Sequence, residues 1–303
     1  MAFLNLIRYQ NLIIIALMQV FIKYGLLEAL EVQLTLSNFQ FGILVFATLC
    51  IAAGGNIIND IYDIEIDRIN KPKRLIVGKK ITEKSANYLY IIFNVLGVCA
   101  GFYLANSVGK SVFASIFVLI SALLYLYSTY LKGILLVGNL VVSGLVASSI
   151  IIVGVFDLIP AIQPNEIDLQ MRLFKIIIHY ALFALFINFI RELVKDLQDI
   201  NGDKNGGLNT LPIAFGRKRA TFISFVLGVL LILTVVAYLY FYLYNYQEIV
   251  LYFLFLIVAP LLYFCTKAWV AETNKDYAFL SILLKVIMFL GMCSILFYKF
   301  VLL

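Results

Sequence analysis

Two stretches of this chain are far more acidic than their surroundings, and both carry the acids at helical spacing. The first reads Asn59-Asp60-Ile61-Tyr62-Asp63-Ile64-Glu65-Ile66-Asp67-Arg68. The second reads Arg191-Glu192-Leu193-Val194-Lys195-Asp196-Leu197-Gln198-Asp199-Ile200-Asn201-Gly202-Asp203-Lys204. In a continuous helix Asn59, Asp63 and Asp67 recur every fourth residue on one face, about 6 Å apart along the axis. Asp196, Asp199 and Asp203 fall at i, i+3 and i+7 and also share a face, which Glu192 extends by one turn. Ladders of like charge destabilise a bare helix, and desolvated carboxylates cost more still, so each ladder needs compensating cations. Mg2+ suits this pattern because it takes oxygen ligands, binds through one or two carboxylates and leaves positions for water and phosphate. A solvated charge run balanced by Arg68 and Lys71 would look much the same in one stretch alone. Two ladders in one chain argue for a site.

The elements that must position these acids belong to a membrane. The 303-residue chain is 63% hydrophobic and 13% charged, more apolar surface than one water-soluble core could hide. A bilayer needs roughly 20 apolar residues per spanning helix. That ruler predicts an all-α, polytopic chain with about nine membrane helices, near 10–30, 39–58, 85–105, 111–131, 133–155, 173–195, 221–244, 247–268 and 278–302. The apolar segments follow one another too closely for an independent soluble domain, so residues 1–303 form a single domain. The first of them lacks a small-residue cleavage site and is predicted to be a membrane helix rather than a removed signal peptide.

Charge sets the expected orientation. Residues 59–84 and 191–219 are rich in Lys and Arg, whereas the connections around 28–38 and 157–168 are acidic or neutral. The basic segments are predicted to be cytoplasmic, with the N-terminus inside, the C-terminus outside and the chain multi-pass in the cell inner membrane. The net charge of +6 reflects these loops, and no basic face suited to nucleic acid is present. Cys50, Cys99, Cys265 and Cys293 lie apart in apolar stretches and read as packing residues. His179, the only histidine, falls on the outer part of the sixth helix, away from both ladders.

A diphosphate on a long hydrocarbon chain would want both Mg2+-binding ladders and a wall of apolar helices. Metal ions would neutralise the diphosphate and stabilise its charge as the allylic C–O bond breaks. Aromatic faces such as those of Tyr62, Tyr125 and Tyr127 could stabilise positive charge developing on the prenyl chain.

These residues also carry a resemblance. The first stretch resembles the N-D-x-x-D-x-x-x-D signature of the UbiA-type intramembrane prenyltransferases, and Asp199-x-x-x-Asp203 is similar to their second aspartate motif. Asp67-Arg68-Ile69-Asn70-Lys71-Pro72, the stretch from Tyr127 to Lys132 followed by Gly138-Asn139, and Gly206-Gly207-Leu208-Asn209-Thr210-Leu211-Pro212 match as well, so the likeness spans helices one to seven. It implies nine helices around a central cavity, with Mg2+ bridging both motifs to a prenyl diphosphate. Asn59, Asp63 and Asp67 would form the first metal group, and Asp199 and Asp203 the second, with Asp196 beside it and Asp60 and Glu192 at the margins. Lys132, Arg74, Lys195 and Tyr127 would contact the diphosphate. The run Arg74-Leu75-Ile76-Val77-Gly78 departs from the arginine-proline sequence of many members. The Asp-Arg-Ile-Asn-Lys-Pro run looks more like the branch that includes geranylgeranylglycerol-phosphate geranylgeranyltransferases, which implies a lipid acceptor. An aromatic acceptor of quinone biosynthesis is the alternative. Intramembrane acids can also mark a cation path, but these cluster at helix ends on one side of the membrane. A phosphatidyltransferase would need a glycine and arginine framework that is absent.

Overall fold

The computed structural model describes residues 1–73 and 75–302. Among the described residues, nine helices are long and apolar enough to cross a membrane: Tyr9–Leu30, Asn38–Tyr62, Glu83–Ser107, Ser111–Thr129, Val137–Ala161, Ile167–Asn205, Arg217–Leu243, Gln247–Trp269 and Asn274–Val301. They are numbered one to nine below. In lipid each peptide group must find its partner within the chain, which a helix achieves alone. Several starts are set by polar caps. Ser37 and Gln40 form a reciprocal capping box at helix two, Thr82 accepts the Ser85 N–H at helix three, and Thr273 and Asp276 box helix nine.

Helix six departs most from the sequence expectation. It runs 39 residues to Asn205 rather than stopping near 195. At 1.5 Å per residue that is about 58 Å, against a hydrocarbon core of about 30 Å. The second acidic stretch is therefore the continuing end of a rigid rod. It stays helical because Leu193, Val194 and Leu197 are buried on its inner side and a short helix, Ile64–Asn70, packs against it.

Helices two, five and six form the centre, with half or more of their apolar windows buried, while only 11% of helix four's is. Helix three approaches helices two and four through glycines. A Cβ on Gly97 would lie 2.6 Å from Ile51 Cγ1, and one on Gly101 would collide with the Phe117 ring. Small residues let membrane helices touch backbone to backbone, where dispersion replaces the hydrophobic drive that lipid removes.

The two ends of the bundle differ in chemistry. Arg8 and the acidic stretches lie at one end. At the other, fully buried Lys23 pairs with fully buried Asp157 at 2.8 Å and donates to the Leu36 carbonyl at 2.8 Å. The Asp157 carboxylate in turn accepts the Leu36 N–H at 2.9 Å. This pair ties helix one to helix five and to the loop between helices one and two. Removing one partner of a buried pair strands the other, at a cost of about 3–5 kcal/mol, whereas an apolar replacement of both is nearly neutral. Lys23→Met is thus expected to lower the thermal unfolding midpoint in detergent markedly, and Lys23→Met with Asp157→Leu to recover most of the loss. A double variant no more stable than the single one would disprove this account.

Candidate active site

The first acidic ladder is not one unbroken helix. Helix two ends at Tyr62, Asp63 adopts φ −94 and ψ 6, and the short helix Ile64–Asn70 then restarts. The four-residue hydrogen-bond spacing nevertheless survives the bend. Asp63 N–H donates to Asn59 O at 2.9 Å, Asp67 N–H to Asp63 O at 2.7 Å and Lys71 N–H to Asp67 O at 2.8 Å. Asn59, Asp63 and Asp67 thus remain on one wall, while the short helix turns to lie along helix six.

Two side chains, Asn70 and Lys71, join the two acidic stretches, and a third, Lys132, ties Asp63 to the turn before helix five. Asn70 Nδ2 donates to the Asp199 carbonyl at 2.8 Å, and its Oδ1 accepts the Gly202 N–H at 2.8 Å. A Cβ at position 202 would meet the Asn70 amide and lie 2.6 Å from the Ile66 carbonyl, so glycine permits the approach. Lys71 Nζ lies 2.6 Å from Asp199 and 3.9 Å from Asp67, one ammonium between the two ladders. Lys132 forms an ion pair with Asp63, which also accepts from Asn59 Nδ2 at 2.7 Å. Lys132 occupies the tight turn Leu131–Gly133, pressed so closely on helix five that a Cβ at Gly138 would lie 2.7 Å from its Cα. The Asn209 N–H donates to the Gly133 carbonyl at 3.1 Å, so the loop after the second acidic stretch holds the Lys132 turn.

These groups line a cavity of about 910 Å3, within the usual range for ligand sites. Asn59, Asp60, Asp63, Asp67, Asp196, Asp199, Asp203, Lys132, Lys195 and Tyr127 all contribute to its wall, and Ile14, Ile51, Phe117, Val146 and Met288 continue it in apolar form. Among the described residues no three His, Cys, Asp or Glu side chains converge as a ready-made ion site. The donors are carboxylates and an amide whose oxygens face lysines, an arginine and asparagine amides, an all-oxygen set of the kind Mg2+ takes. Asp196 accepts from Asn139 Nδ2 at 2.8 Å, and Asp60 pairs with Arg8 at 2.7 Å. Lys195 is drawn to Glu192 by hydrogen bonds of 2.7 and 3.0 Å rather than to the aspartates.

Outside the spanning helices the local field is readable in protonation. Burial pushes the Asp67 carboxyl above its ordinary range, and Asp63 and Asp60 push in the same direction against Lys71. Burial favours the neutral amine at Lys71, but Asp199 and Asp67 together outweigh it and hold the ammonium above the usual lysine range. Likewise burial opposes the charge on Arg8, and Asp60 more than restores it.

Other expectations fare differently. Tyr62 and Tyr125 are exposed, meet edge to face and do not line the cavity; only Tyr127 of the three does. Residues 62 and 125 point outward because each falls on the lipid side of its helix. His179 lies between Tyr238 and Tyr242, away from the cavity, with Nδ1 buried and without a hydrogen-bond partner. Arg74 lies outside the described residues. The bridging roles of Asn70, Lys71 and Gly202 were missed, although Asn70 and Lys71 follow Asp67 at i+3 and i+4 and their pairing across the site was there to be asked about.

Known proteins share this chain's sequence family and fold. A family model described as the UbiA prenyltransferase family matches residues 20–298. The digeranylgeranylglyceryl phosphate synthase of Methanosphaera stadtmanae is 32% identical over 236 residues, covering 77% of this chain and 78% of that protein. The enzyme of the same name from Pyrococcus horikoshii is 33% identical over 235 residues, 77% and 76% of the two chains. A solved structure of a digeranylgeranylglyceryl phosphate synthase superposes with a TM-score of 0.63 at 26% identity, over 98% of this chain and 97% of the other. The fold is shared with a UbiA homolog from Archaeoglobus fulgidus bound to GPP and Mg2+, at a TM-score of 0.61 and 18% identity, over 97% and 99% of the two chains.

The bridge between the ladders is open to test. Asn70→Ala removes the hydrogen bonds to the Asp199 carbonyl, the Gly202 N–H and, at 3.4 Å, the Asp203 carboxylate, worth about 1 kcal/mol each, and Gly202→Ala wedges the same contact apart. Each is expected to lower kcat/KM about tenfold or more. Unchanged kinetics in both purified variants would mean that the site does not need the bridge.

Proposed function

This chain belongs to the UbiA prenyltransferase family, and we propose that it transfers a geranylgeranyl group from its diphosphate to a hydroxyl of geranylgeranylglyceryl phosphate. One observation carries the reading: both acidic stretches meet at the polar end of a single cavity whose remaining wall is apolar. The charged end fits a diphosphate and the apolar end its hydrocarbon tail. The relatives named digeranylgeranylglyceryl phosphate synthase support the choice of a lipid acceptor over an aromatic one.

In this reading Asn59, Asp63 and Asp67 on one side, with Asp196, Asp199 and Asp203 on the other, would hold Mg2+. Once bound, the ion would neutralise the diphosphate and stabilise the charge it gains on leaving. Lys71 and Lys132, which hold the carboxylates together without ligand, are placed to turn to phosphate oxygens as fixed positive charges. Tyr127 faces the same space and can present its ring to the allylic carbon. The C–O bond to diphosphate breaks, the acceptor oxygen bonds the allylic carbon, and the hydroxyl proton passes to the departing diphosphate. The apolar helices keep bulk water from competing with the acceptor.

The chain is an integral, multi-pass membrane protein. We further propose that the site faces the cytoplasm in the cell inner membrane. Lys73, Lys79, Lys80, Lys84, Arg217, Lys218 and Arg219 flank the site end, an excess of basic residues that the loops of the other end lack.

Purified protein supplied with geranylgeranyl diphosphate, geranylgeranylglyceryl phosphate and Mg2+ should yield the prenylated diether lipid, identified by mass, and chelation should stop it. Asp63→Ala and Asp199→Ala are each expected to lower turnover by about a hundredfold or more, and His179→Ala to leave it nearly unchanged. Full activity in either aspartate variant would rule out the assigned site. Prenylation of an aromatic acid but not of the lipid would overturn the acceptor.

A further inference from the structure

Lys285 lies part-buried on helix nine, well inside the membrane-spanning segment, and lines the cavity. Its ammonium donates to Asn11 Oδ1 of helix one at 2.7 Å, a neutral acceptor. The charged groups that act on it are Arg191 and Lys195, both positive. Those two share a single carboxylate, Glu192, at 3.1 and 2.7 Å. The Arg191 Nε is buried without a hydrogen-bond partner among the described residues. Arg191, Lys195 and Lys285 thus line one region of the wall; Glu192 and Asp196 lie beside the first two, and Lys285 is left with only the neutral Asn11 oxygen among the described residues.

Holding an ammonium without an anion among membrane helices is costly, and such residues face the bundle interior or a water-filled cavity and mark substrate paths. The diphosphate is not that anion. Arg191 precedes Asp196 by five residues and Asp199 by eight on the same helix, which sets it about 8 to 12 Å deeper than those aspartates. The cluster therefore describes a second anion site, separated from the first along helix six and open to the same cavity. Arg191 offers a planar fork, Lys285 a point charge, and Asn11 keeps its amide N–H groups to donate while its oxygen holds Lys285.

We propose that Lys285, Arg191 and Asn11 bind the phosphate monoester of the acceptor lipid. The inference rests on the function proposed above, and it adds how the acceptor is recognised and oriented. With its phosphate fixed in the deeper cluster, a three-carbon glycerol unit points its free hydroxyl back toward the allylic carbon at the aspartate end. Fixing one end of a short polyol removes much of the rotational freedom that the reaction would otherwise have to overcome. The same cluster selects against acceptors that lack an anion, because the Lys285 ammonium then keeps only the neutral Asn11 oxygen as its partner.

The test compares geranylgeranylglyceryl phosphate with geranylgeranylglycerol, which lacks the phosphate, in steady-state assays of the wild type, Lys285→Ala, Lys285→Arg and Asn11→Ala. Lys285→Ala is expected to raise KM for the phosphorylated acceptor about 10- to 100-fold, the loss of one charge-assisted hydrogen bond. It should leave KM for geranylgeranyl diphosphate within about twofold and nearly abolish the preference for the phosphorylated acceptor; Lys285→Arg should restore most of it. Equilibrium binding of geranylgeranyl diphosphate confirms that each variant is folded, and Asn11→Ala, expected to shift KM in the same direction, replaces any that is not. An unchanged acceptor KM, or an equal loss on both acceptors, would overturn the phosphate site while leaving the proposed function standing. A wild type that does not use the phosphorylated acceptor would overturn both. Phosphatidic acid, which has the same head group but no free hydroxyl, is expected to compete weakly at equal concentration. Competition as strong as the acceptor's own binding would make the cluster a general phospholipid contact and overturn the proposal.

Discussion

Carboxylates gathered in a lipid-embedded wall repel one another through a medium that screens poorly, and each has given up hydration to be there. The polar end of this protein depends on how that repulsion is met. Lys71 stands between Asp67 and Asp199, Lys132 between the Leu131–Gly133 turn and Asp63, and Arg8 against Asp60. Each cation comes from a different segment from at least one acid it neutralises. The same contacts that make the acids tolerable therefore dock the short helix on helix six, the turn before helix five on helix two, and the N-terminus on the bundle. Electrostatic relief and tertiary structure are one set of interactions here.

The rest of the architecture supplies rigidity to that end. Helix six brings Asp196, Asp199 and Asp203 on a single continuous rod, so their spacing is fixed by backbone geometry rather than by loop conformation. Glycines act where chains must nearly touch, at Gly202 beneath Asn70 and at Gly138 beneath Lys132. At the far end Lys23 and Asp157 hold helices one and five together, so a fully buried ion pair fixes one end of the bundle and partly solvated ones organise the other.

Much of this was legible in the sequence because the relevant signals are periodic. Apolar runs of bilayer length give the spans, and acids at i, i+3, i+4 and i+7 give the ladders. The bend at Asp63 was not legible, since it arises from contacts that Asp63 makes with Asn59 and with Lys132, far along the chain. The full length of helix six was missed for a related reason. Hydropathy ends the helix where charge begins, yet the charged end is supported by packing on Ile64–Asn70. Tyr62 and Tyr125 show the opposite error. Their residue type suggested a role in the cavity, and their helical phase put them on the lipid side.

The lysines seated among the aspartates have a further consequence for the membrane itself. A water-accessible cleft lined by bare carboxylates would attract sodium, potassium and protons, and in a bilayer such a cleft is the beginning of a leak. Here the protein carries its own counterions on tethers. An incoming anion can recruit these ammonium groups, whereas a stray monovalent cation must compete with them at hydrogen-bond distance. Carboxylates already held by tethered ammonium groups offer a monovalent cation less than bare ones would.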